Sequence, residues 1–252
     1  MTTRDVPLLL IRPTYKIAGM SLGSKTFLQD SVPGQVTISR TSVLPATRTQ
    51  WADWLEIVFV FMVFEGVLWT PRSLGHSLMI ALVVVSVLWF SFRRNSRTEL
   101  GLVWPSTYGT ILCLALGGLV AIAIPVGALL SGQSVPANPD WPTFHNLWPY
   151  VIWAFAQQFL LQSFFFLRLE TLAGSRWALL GSTALFTAAH LPNLVLTLMT
   201  LAGAVFFTTI FRKYRSIYPL GIVHAFLGIA VAYSFPDSLM HHMRVGLSYW
   251  QF

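Results

Sequence analysis

Apolar residues dominate the chain after residue 50, and short polar breaks divide them into seven runs. The runs cover residues 52–70, 74–92, 107–130, 147–169, 177–192, 194–211 and 218–235. Each is close to the length of about 20 residues that an α-helix needs to cross a bilayer. The pattern therefore predicts an all-α fold, a polytopic transmembrane helical bundle of about seven spans.

The first 50 residues have a different pattern, in which glycine, proline, serine and threonine interrupt every short apolar stretch. Such a segment cannot bury enough apolar surface to fold alone. We predict a polar N-terminal arm over residues 1–50, with a short strand or two around residues 35–39. The transmembrane helical domain then covers residues 51–236, and residues 237–252 form a C-terminal tail.

Composition supports a lipid environment, since 55% of the residues are hydrophobic, 10% are charged and the mean hydropathy is +0.64. A soluble domain carries about 25% charged residues. The formal net charge of +7 could indicate nucleic-acid binding, but with this hydropathy a membrane surface is the better interpretation. The expected partner is membrane lipid, and no nucleic acid is expected.

Basic residues distribute unevenly between alternate loops. With the N-terminus inside, 14 of the 16 Lys and Arg residues fall in the arm or in cytoplasmic loops, and only Arg72 and Arg244 fall outside. The positive-inside rule predicts this split. We therefore expect an integral membrane protein with a cytoplasmic N-terminus. The aromatic residues of the outer loops are interpreted as interfacial anchors: Trp141, Trp148, Tyr150, Tyr249 and Trp250.

Polar side chains are few inside the spans, and intramembrane polar groups usually mark function. They are Glu65, Gln157, Gln158, Gln162, Arg168, His190, Asn193 and His224. Gln158 and Gln162 lie four residues apart on one helical face, and Gln157 and Arg168 align after three turns of 3.6 residues. These groups could converge on one interior pocket, or each could simply form a helix–helix hydrogen bond.

Two histidine segments resemble the motifs of one enzyme family. Residues 186–193 read FTAAHLPN and contain an FxxxH motif, from Phe186 to His190; residues 221–228 read GIVHAFLG and are similar to its HxxxN motif, from His224. Upstream, Gln157 and Gln158 occupy the place of its EExxxR motif. Over residues 145–235 the chain resembles the CPBP family, the CAAX proteases and bacteriocin-processing (Abi) enzymes.

The resemblance implies an intramembrane endopeptidase. In the family a glutamate acts as general base on a water molecule, and histidines position that water and stabilise the oxyanion. Help from a divalent metal has also been considered for the family, so the cofactor stays open. Substrates are prenylated CAAX tails in a eukaryotic branch and other membrane or secreted peptides in bacteria. The implied location is a bacterial inner membrane.

This chain departs from the motifs at the carboxylates. Gln157 and Gln158 replace both glutamates, Gln162 replaces the arginine, and Gly228 replaces the final asparagine. An amide is not basic near neutral pH. Three interpretations remain: a peptidase whose base has moved, to Glu65 or to His190; a homologue that binds a peptide or lipid without cutting it; and a transporter or channel of the same fold.

The candidate site follows from these positions. His190, His224, Gln157, Gln158 and Glu65 are predicted catalytic residues. Substrate binding is predicted for Phe186, Gln162, Arg168 and Asn193, and no metal ligand is predicted. One difficulty is depth: at 1.5 Å per residue, His190 lies about 20 Å and His224 about 9 Å from the inner edge. Either the seventh span starts earlier than drawn or the fifth enters at a different depth.

Overall fold

A computed structural model describes residues 50–135 and 144–251, which lie within one compact unit of the chain. The predicted N-terminal arm and its strands lie outside the described residues. Those residues form helices and no strand. The all-α prediction is confirmed.

Seven helical stretches match the seven predicted runs in order, and their bounds differ by a few residues. They are α1 (Gln50–Trp69), α2 (Leu74–Phe92), α3 (Thr107–Leu130), a long composite helix, α6 (Ser175–Ala188), α7 (Leu194–Tyr214) and α8 (Tyr218–Ser234). The composite helix consists of α4 (Phe144–Gln158), a π-helical segment (Phe159–Phe166) and α5 (Leu167–Ala173).

Four of these stretches, within the described residues, are long and apolar enough to cross a membrane: Leu74–Phe92, Thr107–Leu130, Leu147–Ala173 and Leu194–Tyr214. The helix α8 is equally apolar but has 17 residues. The helix α1 has 20 residues but includes three acidic side chains, and α6 has 14 residues. The chain is an integral membrane protein, whereas seven complete crossings remain a prediction.

Capping side chains and glycines explain several element boundaries. Ser73 and Ser106 precede α2 and α3, and each hydroxyl accepts a hydrogen bond from the third residue on, as helix N-caps do. The helices α3 and α8 approach closely because Gly117 faces Val223; an added Cβ would lie 2.1 Å from the valine Cγ1. Backbones can come this close only where a side chain is missing.

Short helical turns follow α8 and complete the described chain. The helix α9 (Asp237–Met240) is followed by two 3₁₀ turns, His241–Met243 and Gly246–Trp250. We call residues 237–250 the strap. Its Met240 packs against Leu196 of α7 and Val231 of α8, so this segment folds back onto the bundle.

Candidate active site

A chain of amide hydrogen bonds leads from the composite helix to His224. Gln162 Nε2 lies 3.5 Å from Gln158 Oε1 and 3.3 Å from Thr208 Oγ1, and Gln158 Nε2 lies 3.0 Å from His224 Nδ1. Gln158, Gln162 and Thr208 are fully buried. In this arrangement Gln158 donates to His224, so the hydrogen of the neutral imidazole lies on Nε2.

Phe186 connects the two histidines. Its ring centroid lies 5.0 Å from that of His190 and 6.4 Å from that of His224, so both imidazoles lie against the same side chain. The helix α8 begins at Tyr218 as predicted, so an earlier start of the seventh span does not account for the expected difference in depth between the two histidines. We call Gln158, Gln162, Phe186, His190 and His224 the histidine site.

The two imidazoles have complementary hydrogen-bonding states. His190 Nδ1 lies 2.8 Å from the carbonyl oxygen of Phe186. A carbonyl only accepts, so Nδ1 carries the hydrogen and Nε2 of His190 keeps its lone pair. The ring of His224 stacks on Phe207 at 5.3 Å. One histidine thus offers an acceptor at Nε2 and the other a donor at Nε2.

The π-helical segment begins directly after Gln158 and contains Gln162. The Leu167 N–H bonds the Gln162 carbonyl, five residues back. Such wider turns are rare and frequently occur at functional sites. They also change the helical phase, so the predicted alignment of Gln157 with Arg168, which assumed 3.6 residues per turn, does not hold.

Arg168 lies in a separate cluster of charges. Its Nε and Nη2 atoms each lie 3.0 Å from Glu56 Oε2, and Nη2 also donates to the Phe90 carbonyl. Glu56 further pairs with Arg93, and Asp53 pairs with Arg94. We call these five charged residues the charged end: Asp53, Glu56, Arg93, Arg94 and Arg168. The structure therefore does not bring Arg168 to the histidines.

Three other predicted residues are not part of the histidine site. Asn193 caps α7 and bonds the strap through its amide. Glu65 is half-buried, and its Oε2 accepts a hydrogen bond of 3.1 Å from Trp69 Nε1 in the same helix. Gln157 is half-buried and lies outside the amide chain. Their assignment to the site stays a prediction.

Sequence reasoning missed Tyr150, which it interpreted as an interfacial anchor. A Cβ added to Gly228 would lie 1.6 Å from the Tyr150 hydroxyl oxygen. The phenol thus fills the space where the resembled motif has an asparagine side chain. The sequence carries no signal for this contact, because it joins two distant positions and depends on the missing side chain at Gly228.

The donor set does not suit a metal ion. In the described ranges, no three His, Cys, Asp or Glu side chains are grouped to hold one. Of the two imidazoles, only His190 has an Nε2 lone pair open to a ligand, because His224 accepts at Nδ1 and carries its hydrogen on Nε2, and the neighbouring amides are weak ligands. Zinc sites use at least three protein ligands of the stronger types. We therefore derive no chemistry through a metal.

Comparison with known proteins gives one match. Residues 139–230 match the family model of the type II CAAX prenyl endopeptidase Rce1-like proteins. No curated protein and no solved structure matches the chain. The match includes both histidine motifs and the paired glutamines, and it confirms the resemblance to the CAAX protease family.

Proposed function

We propose that this chain is an intramembrane endopeptidase of CAAX type that cleaves a membrane-associated peptide or protein, with His190 as the base. Residues 139–230 match the family model of the type II CAAX prenyl endopeptidase Rce1-like proteins, which supports this class of activity. The observation that carries the proposal is the hydrogen bonding of the two imidazoles: His190 Nδ1 bonds the Phe186 carbonyl, which leaves the lone pair on Nε2, and His224 Nδ1 bonds the Gln158 amide, which places the hydrogen on Nε2.

This pair supplies the groups that amide hydrolysis requires. His190 Nε2 takes a proton from water as the water oxygen adds to the scissile carbonyl carbon. The N–H of His224 stabilises the oxyanion that forms. The proton on His190 then passes to the leaving nitrogen, the C–N bond breaks, and a carboxylic acid and an amine result. The carboxylate of the motif is not needed in this scheme.

The expected location is a bacterial inner membrane, with the N-terminus in the cytoplasm. The charge distribution between loops supports this orientation. Single cysteines at Arg72 and Arg97, in a Cys113→Ser background, test it with a membrane-impermeant thiol reagent applied to intact cells. Labelling at position 72 and protection at position 97 are expected, and the reverse pattern would reject the orientation.

A cleavage assay tests the proposal directly. The purified protein in liposomes is mixed with a quenched fluorescent prenylated CAAX peptide and, separately, with a quenched transmembrane peptide. We expect cleavage of one of them and a loss of about 10²-fold or more in His190→Ala, the usual contribution of a general base. Equal product formation by the unmodified protein and His190→Ala would reject His190 as the base.

A second candidate, a binding protein without peptidase activity, is favoured by one observation. Both motif glutamates are amides here, and Gln158 is held as a donor to His224. The double variant Gln157→Glu with Gln158→Glu separates the candidates. Cleavage only by the double variant, with equal peptide binding by both proteins, would establish the second candidate.

A further inference from the structure

The strap is hydrogen-bonded to the loop that carries His190. Asn193 Nδ2 donates to the carbonyl of Met240 at 2.8 Å and to that of Arg244 at 3.2 Å. The Gly246 N–H donates to the carbonyl of Leu191 at 2.8 Å. Both partners in the loop are within three residues of His190, so the strap bonds the short connection between α6 and α7.

Asn193 uses its whole side chain in these contacts. Its Oδ1 accepts from the Leu196 N–H at 3.1 Å, which caps α7, and Nδ2 makes the two bonds to the strap. The residue is 1% exposed. An amide offers one carbonyl oxygen and two N–H donors, so Asn193 joins the cap of α7 to the strap and has little capacity left for a substrate.

Apolar packing holds the strap in the same place. Met240 is 1% exposed between Leu196 and Val231. Gly246 is buried at φ 57, and an added Cβ would lie 2.3 Å from the carbonyl oxygen of Leu68 in α1. The strap thus lies between the end of α1 and the His190 loop and contacts both.

The backbone of the strap shows the same constraint. His241, His242 and Met243 have φ values of 47, 50 and 57, which non-glycine residues rarely adopt. Three such residues in succession persist only where surrounding contacts fix them. His242 Nδ1 also lies 2.6 Å from Asp237 Oδ2, which closes the strap on itself.

We propose that the strap is a positioning element for His190 and that Asn193 is its positioning residue. The imidazole of His190 bonds the last turn of α6 through Phe186, and the chain directly after it bonds the strap. Fixing both sides of the residue holds Nε2 in one direction. The strap follows the residues that match the family model, so this device is additional to the matched segment. Its catalytic consequence rests on the proposed function, but the contacts do not.

The test separates the two roles of Asn193. Asn193→Ser keeps a good helix cap but is too short to bond both strap carbonyls, and Asn193→Ala loses both roles. Thr200→Val is the matched control, because it removes one hydroxyl-to-backbone bond in the same helix, to Leu196, without touching the strap. Each variant is compared with the unmodified full chain in detergent.

Two measurements report on the strap and do not require cleavage of a substrate. Hydrogen exchange followed by mass spectrometry reads the amides of residues 190–197 and 237–250. Diethyl pyrocarbonate labelling reads His190, with His224 between Phe186 and Phe207 as the internal reference. In Asn193→Ser we expect both rates to rise about fivefold to tenfold, the population change that follows from losing one net hydrogen bond. The Thr200→Val rates should equal those of the unmodified chain.

Opposite results would overturn the proposal. If Asn193→Ser exchanges and labels like Thr200→Val, while Asn193→Ala unfolds more easily, Asn193 is a cap alone and the strap does not position His190. With an active preparation, positioning further predicts that Asn193→Ser lowers kcat and leaves KM nearly unchanged. Failure of the peptidase assay would leave the exchange and labelling results standing, so the two proposals fail separately.

Discussion

The charged end and the strap fix the two ends of the bundle by different chemistry. At the charged end, buried acidic side chains of α1 pair with the buried Arg168 of α5 and with the exposed Arg93 and Arg94, which follow α2. At the strap, neutral side-chain and backbone groups join α7, α1 and the His190 loop, with apolar contacts beneath them. Side-chain pairs make the first connection, and backbone carbonyls make most of the second.

This difference in chemistry determines which substitutions each connection tolerates. A buried charge left without its partner is strongly destabilising, so the charged end depends on its buried members Glu56 and Arg168 staying paired. Neutral hydrogen bonds contribute about 1 kcal/mol each, so the strap can loosen in steps. A region that loosens in steps can alter the direction of an attached side chain without unfolding the protein.

The largest effect is expected at the charged end. Arg168→Ala removes the buried partner of Glu56 and the donor to the Phe90 carbonyl, while Arg93 still pairs with Glu56, and it should lower the free energy of unfolding by about 3 kcal/mol. Arg97→Ala, at an exposed arginine, is the control and should change it little. Denaturation in mixed detergent micelles measures both. If Arg168→Ala and Arg97→Ala are equally stable, the charged end does not stabilise the bundle, and the contrast with the strap is wrong.

A smaller effect is expected at Gly246. In Gly246→Ala the new methyl group meets the Leu68 carbonyl, and the residue keeps a positive φ; together these should cost about 2–3 kcal/mol. Gly132→Ala is the matched control, since its φ is 82 and nothing lies within 4 Å of an added Cβ. The difference in thermal unfolding between the two variants isolates the contact with α1, and no difference would argue against it.

The stability of the protein should depend more on Gln162, which belongs to the amide chain, than on Gln157, which does not. Gln162→Leu removes the donor to Gln158 and Thr208 and should cost about 1–2 kcal/mol. Gln157→Leu is the control, because Gln157 lies outside the amide chain. It should change the free energy of unfolding by only a few tenths of the amount expected for Gln162→Leu. The same unfolding measurement compares the two, and a reversed order would show that Gln157, not Gln162, supports His224.

The smallest effect is expected at Glu65. If His190 is the base, Glu65→Gln should leave the cleavage rate unchanged, because its carboxylate bonds Trp69 within α1. Trp69→Phe serves as the control, since it removes that bond and keeps the acid. A large loss of rate in Glu65→Gln alone would transfer the role of base from His190 to Glu65.

Much of the fold could be predicted from the sequence because lipid imposes a simple rule on helix length and polarity. The bounds of α2 and α3 agree with the predicted runs for that reason. The histidine segments were recognisable because their spacing is local. Charged positions such as Glu56 and Arg168 gave no such signal, since they are 112 residues apart and become partners only after folding.

Local winding and missing side chains were harder to predict. The π-helical segment changes the direction of every side chain after Gln158, and apolar periodicity does not reveal it. Tyr150 was interpreted by its place near an interface, although its contact is set by the absence of a side chain at Gly228. The bonds of Asn193 to the strap could not be predicted, because its partners Met240 and Arg244 lie in a tail that carries no recognisable motif.

The contact between Tyr150 and Gly228 also restricts the order in which this sequence can change. An asparagine at position 228 would collide with the phenol, so Gly228→Asn is unfavourable while Tyr150 is present. A smaller residue at position 150 opens a cavity but permits the second change. The two positions are therefore not independent, and a side chain at position 228 requires a shift or a substitution of Tyr150.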